Sequence, residues 1–570
     1  MTGYLARVTL ALRRVAMSLH PLAIYLVPED TARVAHAAFP KGHPYLALRD
    51  ELGAIFEDRA FSALFSRRGR SAVAPAQLAL VTILQFAEGL SDMQAANAVR
   101  ARIDWKYVLS LDLEDPGFDA SVLCEFRLRL LDGEQETLLL DTLLTLCRER
   151  NLLKARGRQR SDSTQVLAAV RALNRLEVAG ETLRHALNTL AIVAPDWLSG
   201  WVPPEWAERY ARRIEDDRLP AKQAARDALM LTIGTDGMTV LTALYAPAAP
   251  AWLREIPAVE TLRQVWVQQY QRVDGALCWR GSEDIPPGAV FISSPHDADA
   301  HYAKKRATQW VGYKVHVTET CDRELPQLIT NVATTAGPTA DGAVTPAIHA
   351  ALKDRDLLPS VHIVDTGFLD AELLVTSRED YGVELLGPTR GDYRWQARAG
   401  EGFDAQHFAI DWEHERATCP AGRTSLSWTP AVDKRTNKVI KVKFSAKDCR
   451  HCAHLAQCCH SQKQYPRRTI TIRPQAQYEA LQAARRRAET PEFAAAYAAR
   501  AGIEGTLSRG IRTCRLRRTR YIGQARTHLS HVFTAAGINF LRLGEWFTDL
   551  PRAKTRRSPF AKLMTEILVA

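Results

Sequence analysis

The stretch from about residue 308 to residue 388 constrains the fold more than any other, because its apolar segments are short and change period at intervals. WVGYKVHVTET alternates like a half-buried strand, and LPQLITNVATT reads as a second strand. ADGAVTPAIHAALKDRDL has helical spacing, and VHIVD is a short buried strand that stops at Asp365. AELLVTSREDYG then reads as a helix and VELLGPT as another strand. Two strands, a helix, a strand ending in an acid, a helix and a strand make an α/β sheet. One more strand is wanted ahead of them. The candidate is RGRQRSDSTQVLAAV with Asp162, although alternation alone does not mark it as a strand.

A chain of 570 residues exceeds one compact core, so two to four domains are expected. Residues 1–45 form an N-terminal extension and residues 46–150 an all-helical module. PAQLALVTILQFAE opens on Pro75 and is broken by Gly89, and LSDMQAANAVRAR follows with Ser91 as cap. Helix, glycine turn, helix is the outline of a DNA-binding helix-turn-helix and equally of a plain helical hairpin, and both readings stay open. Residues 151–550 hold the α/β unit. A helical insertion at 172–290, without a catalytic constellation, and a Cys-rich insertion at 411–462 interrupt it. Residues 551–570 are a basic tail.

The net charge of +11 points to a polyanionic partner, of which nucleic acid is the usual one. No apolar run reaches the ~18 residues needed to span a membrane. Arg13 and Arg14 interrupt the apolar N-terminus and no small-residue cleavage site follows, so neither membrane nor secretion is expected. Five of the ten cysteines fall between Cys419 and Cys459, which reads as a reduced, cytoplasmic chain with one metal-like cluster.

Near the C-terminus, PEFAAAYAARAGIEGTLSRG reads as a helix with Thr490 as cap, Pro491 at its first position and Glu492 at its positive end. Steps of three and four residues place Tyr497, Arg500 and Glu504 on one face. A phenol, a guanidinium and a carboxylate there suit a site where a metal ion meets a phosphodiester. Taken alone, an amphipathic helix with an i, i+4 ion pair is the better account of them, and only the rest of the chain reverses that. Behind the helix come Arg509, Arg512, Arg515, Arg517, Arg518, Arg520 and Arg526, with no acid from Ser508 to His528.

Several segments in order carry a resemblance. They are QRSDSTQVLAAVR, SPHDADAHYAKKRATQWVGYKVHVTET, HIVDTGFLDAELLV, the CPAG…CRHC cluster and GIEGTLSRGIRTCRLRRTRYIGQARTHL. The chain resembles the DDE transposases of bacterial insertion sequences, of the 1182 group related to the insertion-sequence-4 and -5 types, with an InsH-like N-terminal domain. The resemblance implies a ribonuclease H-like core, a mixed five-stranded sheet with helices, behind a helix-turn-helix-like domain. It implies Asp162, Asp365 and Glu504 as the catalytic acids. They would hold two Mg2+ ions, with Mn2+ as a substitute, for cleavage and transfer of DNA strands. The partners implied are double-stranded DNA, as terminal inverted repeats and target, and a second copy of the chain in the DNA complex. Such a protein is cytoplasmic and associated with the bacterial nucleoid. The relatives' signature, Tyr-x2-Arg-x3-Glu-x6-Lys, fits Tyr497, Arg500 and Glu504, but its lysine position is Ile511, so Arg512 is the substitute. With Arg509, Arg517, Arg518 and Arg520, these residues form the expected phosphate-binding set.

The chemistry agrees with that reading. Two Mg2+ ions about 3.5–4 Å apart activate a nucleophile and neutralise a leaving oxygen, and a few carboxylates suffice to hold them. Cys419, Cys449, Cys452 and Cys458 have roughly structural-zinc spacing, with Cys459, His451, His454 and His460 as substitutes, against the alternative of buried free thiols. His296, Asp297, Asp299 and His301 fit either site neighbours or a polar loop. His362 falls on the face of its strand away from Asp365, and Trp310 and Tyr313 read as sheet packing. Two rivals remain: a metal-dependent nuclease of the same fold, and a non-enzymatic DNA-binding regulator, which has no need of three acids in this order. The resemblance begins near Met17, so residues 1–16 read as an appendage from an upstream start.

Overall fold

The computed structural model describes residues 17–549, apart from 22–24, 67, 216–218, 393, 399–401 and 462–463, together with 558–560 and 563–564. The appendage of residues 1–16 and most of the basic tail lie outside these.

Helix α1, Pro75–Glu88, begins on its proline and ends at Gly89 in the left-handed conformation. The next helix, Asp92–Ala101, starts from a capping box between Ser91 and Gln94. Almost every residue of α1 is buried, because helices wrap it on one side and the C-terminal part of the chain covers the other.

The central sheet contains β1 (Arg158–Leu167), β2 (His301–Lys305), β3 (Thr308–Thr320), β4 (Ile329–Ala336), β5 (Val361–Ile363) and β6 (Glu384–Leu386). The strand order is β6–β5–β1–β3, with β2 and then β4 on the far edge of β3. β1 pairs antiparallel with β3 and parallel with β5, and β5 pairs parallel with β6. Helices α2 (Thr345–Asp354) and α3 (Ala371–Tyr381) connect β4 to β5 and β5 to β6. β3 was expected to be half-buried, yet nearly every residue from Gly312 onward is covered on both faces. The cover on one face comes from the C-terminal segment, which no local pattern reveals.

That segment comprises α4 (Pro491–Tyr497), α5 (Gly502–Thr513) and α6 (Gln524–Phe547). α6 lies between the helical module and the sheet. Its Leu529, Phe533 and Phe540 join one core with Trp105 and Phe126 from the module and Tyr313 and Val315 from β3. Gly537 lets α6 approach α1 closely, since a Cβ there would meet Ala87 N at 2.8 Å.

The two insertions carry their own cores. Between β1 and β2, the helix Gln223–Tyr245 is long and apolar enough by length and composition to cross a membrane. Its Met230, Ile233, Val240 and Leu244 pack with Trp206 and Trp266 in the insertion. Between β6 and α4, Ser427–Val432, Lys438–Lys443 and Thr469–Ile472 form an antiparallel sheet over Phe408, Val442 and Phe444.

Candidate active site

Successive residues of a strand face opposite sides, so Arg158, Arg160, Asp162 and Thr164 share one face of β1. Each meets the C-terminal segment, in chain order. Arg158 Nη2 donates to Ala496 O at 3.0 Å, and Arg160 Nη1 donates to Ala499 O. Asp162 Oδ2 accepts from Arg500 Nη2 at 2.9 Å, and Thr164 Oγ1 accepts from Arg517 Nε at 2.8 Å. This ladder differs from the continuous helix that the sequence predicts. Between α4 and α5 the chain tightens into the 3-10 turn Ala498–Ala501. Arg160 takes a carbonyl from that turn and Arg158 one from the end of α4, and Gly502 lies directly over the Arg160 guanidinium, where a Cβ would meet Nη1 at 2.2 Å.

Asp365 reaches the same place through β5. β5 is in register with β1 at Arg160 and Ile363, and the same register carried two residues further sets Asp162 level with Asp365. Arg500 Nη2 is 3.9 Å from Asp365 Oδ2, and its Nη1 is 3.4 Å from Glu504 Oε1. Three acids from a strand, a strand end and a helix therefore surround one guanidinium. Burial pushes the Asp162 carboxyl up, with Arg500 and the Ser163 N–H partly opposing it and Asp365 adding to it. Tyr497, stacked on Phe493 with ring centroids 5.5 Å apart, is also pushed up by burial, and its hydroxyl stays protonated.

Sequence reasoning missed the group that pins this arrangement. Glu319 on β3 is fully buried, and its Oε1 accepts from Arg160 Nε at 2.8 Å and Nη2 at 2.6 Å. Its Oε2 accepts from Thr506 Oγ1 on α5 at 2.7 Å and from Arg542 Nη1 on α6 at 2.8 Å. One carboxylate thus joins β1, α5 and α6 beneath the site. The available signal was an acid inside a strand that is otherwise buried.

The acids offer only oxygen donors and already enclose one positive charge, which fits a hard divalent cation such as Mg2+. With the guanidinium among them, no group of three or more His, Cys, Asp or Glu side chains among the described residues is disposed to share an ion.

The arginines behind α5 divide. Arg509 pairs with Glu545 on α6 at 2.8 Å, so its charge is opposed from a distant part of the chain. Arg512 is exposed and donates to Ser508 Oγ at 2.6 Å, whereas Ile511 packs against the core. Arg517, Arg518 and Arg520 are exposed, and Arg520 lies over the Phe86 and Tyr521 rings. Main-chain bonds from Leu167 N to Arg517 O and from Thr519 N to Leu167 O hold this stretch along the end of β1.

The zinc expectation gains no support. Cys419, Cys449, Cys452, Cys458 and Cys459 line one small cavity with Phe444 and Arg468. As placed, they do not form a metal-ligating group. Burial pushes the Cys458 thiol up to about 11, and the Cys449 thiol also upward. The polar loop 296–301 serves packing. Asp297 accepts from Tyr313 Oη at 2.7 Å, Asp299 from Gln524 N at 3.0 Å, and His301 Nδ1 contacts Phe291 O at 3.0 Å. His296 lies 3.4 Å from Glu181 of the helical insertion. His362 is bonded to Ser161 Oγ at 2.7 Å, on the face of β1 away from Asp162.

Residues 418–544 match the family model described as the transposase DDE domain, and residues 33–129 match that of the transposase domain DUF772. No curated protein and no solved structure matches the chain. The first match contains Tyr497, Arg500 and Glu504 but neither Asp162 nor Asp365, which the fold brings to them. Together the two matches support a transposase of the insertion-sequence type with a DDE domain.

Proposed function

We propose that the chain is a DNA transposase that binds the terminal inverted repeats of its element and catalyses metal-dependent strand cleavage and transfer. The observation that carries this reading is the convergence of Asp162, Asp365 and Glu504 on Arg500. The sheet order β4–β3–β1–β5–β6, antiparallel on one side of β1 and parallel on the other, supports a ribonuclease H-like core with β2 added. Mg2+ held by the three acids would supply nucleophile activation and charge neutralisation at the leaving oxygen. Arg500 and Arg517 present guanidinium groups on the face of β1 that bears Asp162, suited to a phosphodiester. Tyr497, protonated, is a hydrogen-bond donor beside them. Repeat recognition falls to the helical module, where Met93, Gln94, Asn97 and Arg100 of the second helix are exposed. The DNA complex would be a homodimer working on the nucleoid.

The test is incubation with Mg2+ and a duplex carrying the repeats that flank the reading frame. The expected products are free 3′-hydroxyl ends at the repeat border and their joining to a target plasmid. Cleavage without joining would leave a nuclease, and repeat binding without cleavage a regulator.

The exposed arginines give a separate prediction. Replacing Arg517, Arg518 and Arg520 together by glutamine should weaken binding to all DNA sequences alike. The log–log dependence of affinity on salt should flatten by about 0.9 for each phosphate no longer neutralised. An unchanged slope would assign these arginines to packing along β1.

A further inference from the structure

Asp341 opens the short helical turn ahead of α2, and its side chain is 9% exposed. Its contacts take no part in the cleavage chemistry above. Oδ1 accepts from Ser163 Oγ at 3.0 Å and from Lys314 Nζ at 3.2 Å, with His316 Nδ1 3.7 Å away. Oδ2 is 3.9 Å from Lys305 Nζ. Burial holds His316 down at about 4, so lysine supplies the countercharge. Ser163 and His316 are cross-strand partners on the face of the sheet opposite Asp162, and Asp341 approaches from that side.

Two links lead from Asp341 to the acids. Ser163, which donates its hydroxyl to Asp341, donates its own N–H to Asp162 Oδ1 at 2.7 Å. Gly367 donates its N–H to Asp365 Oδ1 at 2.8 Å and lies against Asp341, since a Cβ there would meet Asp341 Oδ2 at 3.2 Å. Thr345 Oγ1 donates to Phe368 O at 2.8 Å and fastens the same two segments. A buried Asp–Lys pair is weak evidence of added stability. Its place against both acid-bearing segments calls for another account.

We propose that Asp341 is a positioning residue that sets the separation and orientation of Asp162 and Asp365, through Ser163 and Gly367. The inference rests on the reading of those acids as cation ligands. Groups that orient metal ligands in this way change metal affinity or activity by about 10- to 100-fold when removed.

The experiment is calorimetric titration of Mn2+ into the full chain, wild type against Asp341→Asn and Ser163→Ala, alongside Mg2+-dependent cleavage and thermal unfolding. Asp341→Asn is expected to weaken Mn2+ binding by about 10- to 100-fold. Ser163→Ala should shift it in the same direction by less, with an unfolding midpoint near wild type. Asp341→Asn also leaves Lys314 without its countercharge. If that protein does not fold, Ser163→Ala, which keeps the charge pair, decides alone. Wild-type Mn2+ affinity in Ser163→Ala and in any folded Asp341→Asn protein overturns the role of Asp341 while the triad stands. A wild-type chain that neither binds Mn2+ nor cleaves overturns the triad and this inference with it.

Discussion

Asp365→Asn and Glu504→Gln each abolish cation-dependent strand cleavage and leave affinity for end DNA nearly unchanged: this is the expected result. Metal ligation depends on carboxylate charge, whereas DNA affinity comes mainly from lysine and arginine. The expected loss is on the order of a thousandfold or more, about 4 kcal/mol of transition-state stabilisation. Neither substitution opens the core, because the Asp365 side chain is 33% exposed and that of Glu504 is 68% exposed. Asp162 is a less clean probe, since it is the nearest partner of a mostly buried Arg500. The measurement is nicking of end DNA at saturating Mg2+, with binding followed separately by gel shift. Cleavage by Asp365→Asn at the wild-type rate would remove the acid from the mechanism.

Glu319→Ala is expected to have the largest effect on stability. Breaking a buried ion group from one side leaves uncompensated charge and costs roughly 3–5 kcal/mol. Here the charge left behind is Arg160 and Arg542 together. Burial pushes the Glu319 carboxyl up, but Arg542, Arg160 and the Thr506 hydroxyl together outweigh it and hold it below the usual glutamate range. Its contribution is therefore complete above the unfolded glutamate pKa of about 4.3 and is lost as pH falls through the lower folded value. Urea unfolding of wild type and variant at pH 7 and in steps downward from pH 4 reads both effects. Equal midpoints at pH 7 would mean that the group is not a structural joint.

The parts of the fold legible in the sequence are those whose cause is local. Pro75, Gly89 and Ser91 bound their helices through cap chemistry, and the segments from β3 to β6 declare themselves by apolar spacing. β1 does not, for a physical reason. Arg160, Ser161, Asp162, Ser163 and Thr164 are all polar, and their partners are Glu319, His362, Arg500, Asp341 and Arg517. A strand satisfied on both faces by distant polar groups shows no hydrophobic alternation. The same distance hides the 3-10 turn at Ala498–Ala501, to which Arg160 of β1 donates while Arg158 holds the end of the helix before it. It also hides the opposition of Arg509 by Glu545. Cysteine spacing suggested ligands, but spacing does not fix where thiols point, and the cavity they line gathers them without making a metal-binding set.

The position of α6 matters for how the protein is made. Domains that fold independently finish one after another as the chain leaves the ribosome. Here the core of the N-terminal helical module includes Phe533 and Phe540, which are synthesised long after the module's own helices. A nascent chain ending before Gln524 lacks the surface against which α1 and β4 close. A message truncated in that range should yield aggregated or degraded product rather than a free, folded helical module. Accumulation of a folded, end-binding piece from residues 17–520 would contradict this. If it holds, stopping translation early cannot release the helical module as a competitor of the full chain, and each folded copy arrives with that module and the acid-bearing sheet joined.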